Sequence, residues 1–328
     1  MLLRKNRQSV VQVLSQNSKE LHKTPHDKMT YGVFSKFQKQ EDQVIVLGEV
    51  VKNFDWKLND DQLDGDTQTI SKKDQLQHEW LVQGALDTIK RTDLKKVVIS
   101  RKQPFTRTTT DLEIIAKLLD FYPSANCYFF FHPSVGKWMG ATPETLLSYK
   151  KGVLKTMSLA GTKTKGNSVG KAWGTKESEE QQLVTDFIRE ALNSSSVSEI
   201  KVGKVETVTA GKLLHLKTEI TAQTYFQNLD NCIDQLHPTP AVCGLPRKMA
   251  LAYILTHENY DRSYYTGYLG WSEPQNETAD YFVNLRCMEL HDEYIDLYAG
   301  GGITAMSDPK AEYQEVQNKL LTMAAVLS

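Results

Sequence analysis

The sequence predicts an α+β (α/β) protein in which large mixed or antiparallel β-sheets pack with helices. Short runs of β-branched and aromatic residues recur along the chain with amphipathic helical stretches between them. They do not follow strict βαβ alternation, which disfavours a doubly wound parallel sheet. No segment repeats at a fixed period, so a solenoid or propeller is not indicated. At 328 residues and 40% hydrophobic composition, the chain is long enough to bury a large core.

Residues 1 to about 75 alternate short strand-like and helical patches with polar stretches such as 57–66, and read as a variable lobe without a motif. Residues 79–90 have helical apolar spacing, and 96–100 (KVVIS) form a β-branched run of buried-strand type. A helix is expected over 111–119, strands over 127–132 and 145–149 around a glycine-bearing hairpin, and a strand end over 157–161. A long helix over 175–193 opens with charges and turns Leu183, Val184, Phe187, Ile188 and Leu192 inward. Strands are expected at 204–209, 215–221, 268–271, 280–290 and 294–299, with helices near 229–235 and 246–256. Asp308 and Pro309 start the last helix, along which Val316, Leu320, Met323 and Leu327 form an apolar stripe.

A formal net charge of −1 and the lack of a long Lys/Arg run argue against a nucleic-acid surface and favour a small substrate. Cys127, Cys232, Cys243 and Cys287 lie far apart with no C-x-x-C pair, so neither a zinc site nor a disulfide framework is indicated, and a reduced cytosol suits them. The N-terminus lacks a sustained apolar core, and no run approaches the ~20 apolar residues that span a bilayer. A cytoplasmic protein without a membrane segment is expected.

The stretch 297–321, LYAGGGITAMSDPKAEYQEVQNKLL, carries the strongest chemical signal. Gly300, Gly301 and Gly302 let the backbone approach a ligand closely, and Glu312, Glu315 and Lys319 fall along one stripe of the following helix. Glu177 and Glu180 repeat the i, i+3 glutamate spacing on the 175–193 helix. Two such helices could face each other across Mg²⁺, a hard ion that prefers carboxylate oxygens; each pair taken singly also reads as a solvated helix face, and the glycines as a turn. Lys96 opens a buried strand and is a base candidate if burial or a nearby cation lowers its pKa; a strand-end lysine also reads as a snorkelling surface residue. Glu144 follows Pro143 and precedes two leucines, the setting of a carboxyl kept protonated to act as an acid, or of a plain turn carboxylate. His215 lies between two leucines and reads as a core histidine. Arg286, in an apolar strand, needs a carboxylate partner from protein or ligand. No serine-nucleophile elbow, phosphate loop or dinucleotide fingerprint occurs.

Taken in order, KVVISR from Lys96, GATPETLL from Gly140, SLAGTK from Ser158, KESEEQQLV from Lys176, LLHL from Leu213, LHPTPAVCGLP from Leu236, YDRSYYTGYLGW from Tyr260, NLRC from Asn284 and YAGGGI from Tyr298 span about 96–323. This series resembles the chorismate-utilising enzymes that share the anthranilate synthase component I fold, most closely the isochorismate synthases. The resemblance implies one chorismate-binding domain over 1–328, with 1–75 variable, shorter than is usual for the family, and 80–328 the catalytic core. It implies Lys96 as the base that activates water for attack at C2 of chorismate, and Glu144 as the acid that protonates the departing C4 hydroxyl. It also implies a Mg²⁺ ion held by Glu180 and Glu315 with Glu177 and Glu312 as outer partners. Arg286, Lys319 and the backbone around Gly161, Thr162, Gly300 and Gly302 would hold the substrate carboxylates, and His215 would line the pocket.

Within the family, Lys96 argues against anthranilate synthases, which have glutamine there, and Ala160 against aminodeoxychorismate synthases, which have a lysine there. LHPTPA argues against salicylate synthases. No amidotransferase segment is visible, which fits water as nucleophile and a monomer without an amidotransferase subunit. The family's EKDRHEH-like stretch reads KESEEQQ here, keeping Glu180 and altering its surroundings. The alternatives are a salicylate synthase, which adds pyruvate elimination on a nearly identical site, and a non-catalytic chorismate-binding relative, against which Lys96 and Glu144 both speak. Menaquinone and siderophore synthesis are equally open as destinations of the product.

Overall fold

A computed structural model describes residues 1–25, 28–38, 43–57, 72–164, 172–210 and 213–327; the polar stretch 57–66 lies, past residue 57, outside them. Alternating apolar positions build two sheets in which every strand pair is antiparallel. The nine-stranded sheet runs Gly244–Leu245, Lys96–Thr106, Tyr294–Thr304, Cys287–Leu290, Gly136–Thr142, Asn126–His132, Leu2–Arg4, Val10–Ser15, Glu49–Asp55. The eight-stranded sheet runs Ser198–Ala210, Leu213–Gln223, Val153–Thr164, Thr145–Lys150, Thr278–Val283, Tyr268–Glu273, Tyr31–Ser35, Val44–Leu47. The motif-free N-terminal residues thus contribute strands to both sheets.

The inner faces of the two sheets share one core in which Leu3, Tyr128, Phe130 and Trp138 meet Phe34, Leu269, Trp271 and Phe282. Phe34 stacks on Phe130 and on Tyr264 with ring centroids 4.3 Å apart in each case. Helices close the outer faces. Thr175–Asn193 and Leu229–Leu236 pack on the eight-stranded sheet, and Asp111–Phe121 and Pro309–Ala324 on the nine-stranded one. Lys72–Arg91 and Arg247–His257 cover the end of the nine-stranded sheet near Val97 and Ile99. The order is helix, sheet, sheet, helix.

Two expectations change. The single strand expected over 280–290 is two strands, Thr278–Val283 and Cys287–Leu290, in different sheets. The break falls where buried Asn284 accepts from Tyr128 Oη (2.6 Å) and donates to Tyr264 O (2.9 Å), and where Arg286 takes a left-handed φ of 47° that a strand cannot accommodate. The glycine hairpin after 127–132 returns through Gly136–Thr142, a strand the periodicity did not single out, before the chain enters the other sheet at Thr145–Lys150.

These two sheet-to-sheet crossings lie side by side. Thr142 Oγ1 donates to Val283 O (2.6 Å), Val283 N to Glu144 O (3.1 Å), and Ala141 N to Arg286 O (3.1 Å). Residues 144 and 286, far apart in sequence, are thereby fixed as neighbours at one cavity.

Candidate active site

The cavity is lined by Glu144, Gly161, Glu180, His215, Arg286, Gly300, Gly302, Glu315 and Lys319 among others. Of the residues singled out from sequence, these nine share one space. Lys96 lies directly behind it: its side chain is fully buried, and Nζ donates to Glu180 Oε1 at 2.8 Å. It is no snorkelling surface lysine, because its strand runs between Gly244–Leu245 and Tyr294–Thr304 rather than at an edge.

Glu144 is 3% exposed, and burial pushes its carboxyl up to about 8 against the opposing pull of Lys96. It therefore holds a proton at neutral pH, as a general acid must. His215 bridges two other groups. Arg286 Nη2 lies 3.0 Å from Nε2 and, having no acceptor, must donate to it; Nδ1–H then donates to Gly161 O at 3.0 Å. Burial, followed by the charges of Arg286 and Lys319, lowers His215 to about 3, so it stays neutral and serves as a strut. Burial also lowers the Arg286 pKa.

The three glycines lie inside the Tyr294–Thr304 strand and form no turn; each admits a different group. A Cβ at Gly300 would stand 3.0 Å from Tyr265 Oη, one at Gly301 3.2 Å from Val316 Cγ2, and one at Gly302 2.8 Å from Glu180 Oε1. Lys319 donates to Gly300 O and to Glu315 Oε1, both at 2.9 Å. Gly161 has φ 65° at a bulge that interrupts the pairing with the Leu213–Gln223 strand, which lets the helix turn at Glu177 rest on it. Thr162 pairs through its backbone with His215.

The four glutamates expected around a cation divide in two. Glu180 and Glu315 line the cavity; Glu177 and Glu312 do not. Glu177 Oε2 accepts from Gly174 N (2.9 Å) and so caps its own helix. Glu312 is 2% exposed and accepts from Lys176 Nζ. Burial and then the charge of Glu315 raise its pKa, while Lys176 opposes them. Burial also acts upward on Glu180, yet Lys96, Lys319 and Lys176 hold it below the ordinary carboxylate value.

Several residues that build the site were given no role from sequence. Gln181 is buried in the helix where Leu183 and Phe187 were expected inward; these two are only partly buried. Its carboxamide accepts from Ala160 N (3.0 Å) and donates to Ser158 Oγ (2.8 Å) and Thr218 Oγ1 (3.0 Å), fastening the Glu180 helix to the sheet. Buried Arg262 donates to both oxygens of Glu258 (2.6 and 2.7 Å), to Val98 O (2.8 Å) and to Val242 O (2.9 Å), and so joins two walls of the cavity. Glu258 Oε1 also accepts from Ser100 N and Oγ, each at 2.8 Å. Both Gln181 and Arg262 stand in recognisable motif blocks, and charge or polarity beside apolar neighbours was the available signal.

The two large antiparallel sheets thus bring a buried carboxyl, a buried lysine, and the cations Arg286 and Lys319 together around one cavity. The chain belongs to the chorismate-binding enzymes: residues 21–328 match the family described as chorismate binding enzyme. It is 30% identical over 264 residues to isochorismate synthase MenF of Escherichia coli (strain K12), covering 75% of this chain and 59% of that protein. It is 34% identical over 271 residues to the salicylate biosynthesis isochorismate synthase of Pseudomonas aeruginosa, covering 79% and 56%. The chain thus spans less than two thirds of the length of these relatives. In fold it is similar to the solved structure of the menaquinone-specific isochorismate synthase MenF from Escherichia coli, with a TM-score of 0.83 and 20% identity over 100% of this chain and 88% of that one. No described helix is long and apolar enough to cross a membrane.

Proposed function

We propose that this chain is an isochorismate synthase, a cytoplasmic, monomeric, Mg²⁺-dependent isomerase that needs no amidotransferase subunit. The observation that carries the reading is buried Glu144, whose carboxyl burial pushes up to about 8, on a cavity shared with Arg286 and Lys319 and backed by buried Lys96. In this reading water attacks C2 of chorismate and gives its proton to Lys96. Both ring double bonds shift, the C4–O bond breaks, and Glu144 protonates the leaving hydroxyl. One water enters and one leaves, so the net change is an isomerisation. Lys96 acts as a base only in its neutral form, so its pair with Glu180 must open. Arg286, oriented by His215, and Lys319, anchored on Gly300 O, neutralise the two carboxylates.

The donor set fits a hard divalent cation. Glu180 and Glu315 offer carboxylate oxygens to the cavity from two helices, and Oε2 of neighbouring Glu312 is buried without a hydrogen bond. When bound, Mg²⁺ would supply positive charge for the ring carboxylate. Among the described residues, the group whose three ligand atoms already lie within 4.8 Å of one another is Glu289, His291 and Asp296, none of which lines the cavity. Glu180, Glu312 and Glu315 are each held by a lysine instead.

The test is incubation of the purified protein with chorismate and Mg²⁺, with the products separated by chromatography. Isochorismate is expected. Salicylate with pyruvate, or an aminated product when ammonia is supplied, rejects this branch. Lys96→Ala should abolish turnover and retain ligand binding, and normal turnover in that variant overturns the assignment of the base.

A further inference from the structure

The acidic cluster contains a lysine for which the proposed reaction has no task. Lys96 pairs with Glu180 at 2.8 Å and Lys319 with Glu315 at 2.9 Å; both have parts in the chemistry or in substrate binding. Lys176 pairs with Glu312 and has no such part. It is the second residue of the Thr175–Asn193 helix, where a positive charge opposes the helix dipole, so the helix itself gains nothing from it. Its ammonium reaches across to Pro309–Ala324 and ties together the two helices that present Glu180 and Glu315. The Lys176 side chain is 29% exposed while Glu312 is 2% exposed, so the lysine covers an otherwise uncompensated buried carboxylate. Its charge also acts on Glu315 and Glu180.

We propose that Lys176 is a fixed internal counter-ion of this cluster: it pairs with Oε1 of Glu312 and, by its charge, limits how tightly Glu180 and Glu315 bind a divalent cation. This rests on the cation site proposed above. A site that gives up its metal easily keeps Glu180 available to Lys96, so Lys176 tunes the competition between metal and lysine for one carboxylate.

The test measures Mn²⁺ binding by loss of the free-ion electron paramagnetic resonance signal, with Mg²⁺ as competitor, in the full chain. Lys176→Met should tighten Mn²⁺ binding about tenfold, the effect of one neighbouring, partly solvated charge. Lys176→Gln should match it, because charge and not shape is at issue. Glu312→Gln should weaken binding by leaving Lys176 unopposed, and the double variant Lys176→Met/Glu312→Gln should return towards the parent value. Affinities of both Lys176 variants within twofold of the parent overturn this inference alone. Absence of Mn²⁺ binding in the parent and in every variant overturns the cation site, and this inference with it.

Discussion

The substitution Gly302→Ala separates the chemistry of this site from its stability. Gly302 sits opposite Val98 in the strand ladder, and a methyl group there would lie 2.8 Å from Glu180 Oε1 and 2.9 Å from Lys96 Cε. Ordinary contacts to carbon begin at about 3.5 Å, so the Lys96–Glu180 pair must withdraw by roughly 0.6–0.7 Å. Both groups are the ends of flexible side chains, and Gly302 does not occupy the left-handed region, so the backbone need not move. Misplacing a catalytic group by about 1 Å costs on the order of 100-fold in rate, or about 2.7 kcal/mol of barrier. Stability should change little, since alanine in a strand recovers roughly 0.5–1 kcal/mol of backbone entropy that offsets the crowding. Turnover of chorismate and thermal melting, measured on the same preparation, decide the matter. The expected outcome is a kcat lower by about two orders of magnitude at nearly unchanged Tm. Gly301→Ala is the contrast, because its methyl would press on Val316 Cγ2 at 3.2 Å and strain the packing of the last helix, lowering Tm more than kcat. A Gly302→Ala enzyme within threefold of the parent rate, at the same Tm, would refute the idea that the placement of Lys96 and Glu180 limits catalysis.

Two further outcomes follow from buried charge. With its carboxyl at about 8, Glu144 should give turnover an alkaline limb near that pH, and Glu144→Gln should abolish turnover. The folded value exceeds the ordinary 4.5, so the folded state retains a proton that the unfolded chain has released; the stability from this site is complete below about 4.5 and falls as pH rises through about 8. Glu144→Gln should therefore gain Tm relative to the parent on going from pH 5 to pH 9, and a constant difference contradicts the assigned shift. Arg262→Met leaves the Glu258 carboxylate buried without its guanidinium, which should cost about 3–5 kcal/mol in denaturant unfolding; a loss below ~1 kcal/mol would mean that the pair does not hold the cavity walls.

The helices at 79–90, 111–119 and 175–193 were legible because each buries an apolar stripe, and stripes are written in local spacing. Val316, Leu320 and Met323 are buried along the last helix, as their spacing required, whereas Leu327, also buried, lies past the helix end at Ala324. Sheet membership is not written that way. Thr145–Lys150 and Gly136–Thr142 are neighbours in sequence and belong to different sheets, and no periodicity distinguishes a strand that continues its sheet from one that leaves it. Arg286 shows the consequence: as a strand residue it would project to one face of one sheet, whereas its left-handed conformation at the crossing directs the chain from one sheet to the other and leaves the guanidinium at the cavity beside His215.

Roles within a helix were unequally legible for a related reason. The i, i+3 spacing placed Glu177 and Glu180 on one stripe, but Glu177 lies in the first turn, where unpaired backbone N–H groups compete for any carboxylate, and there it caps. Glu180 lies one turn later, past those donors, and is free to meet Lys96. Gln181 is hidden for the opposite reason: a carboxamide reads as a surface group unless its three partners, on strands some 20 to 40 residues away, are known in advance. Glu144 and Lys96 could be singled out from sequence as candidates because each stands beside apolar neighbours in its own segment. The residues that aim them could not, because their surroundings exist only after both sheets have closed.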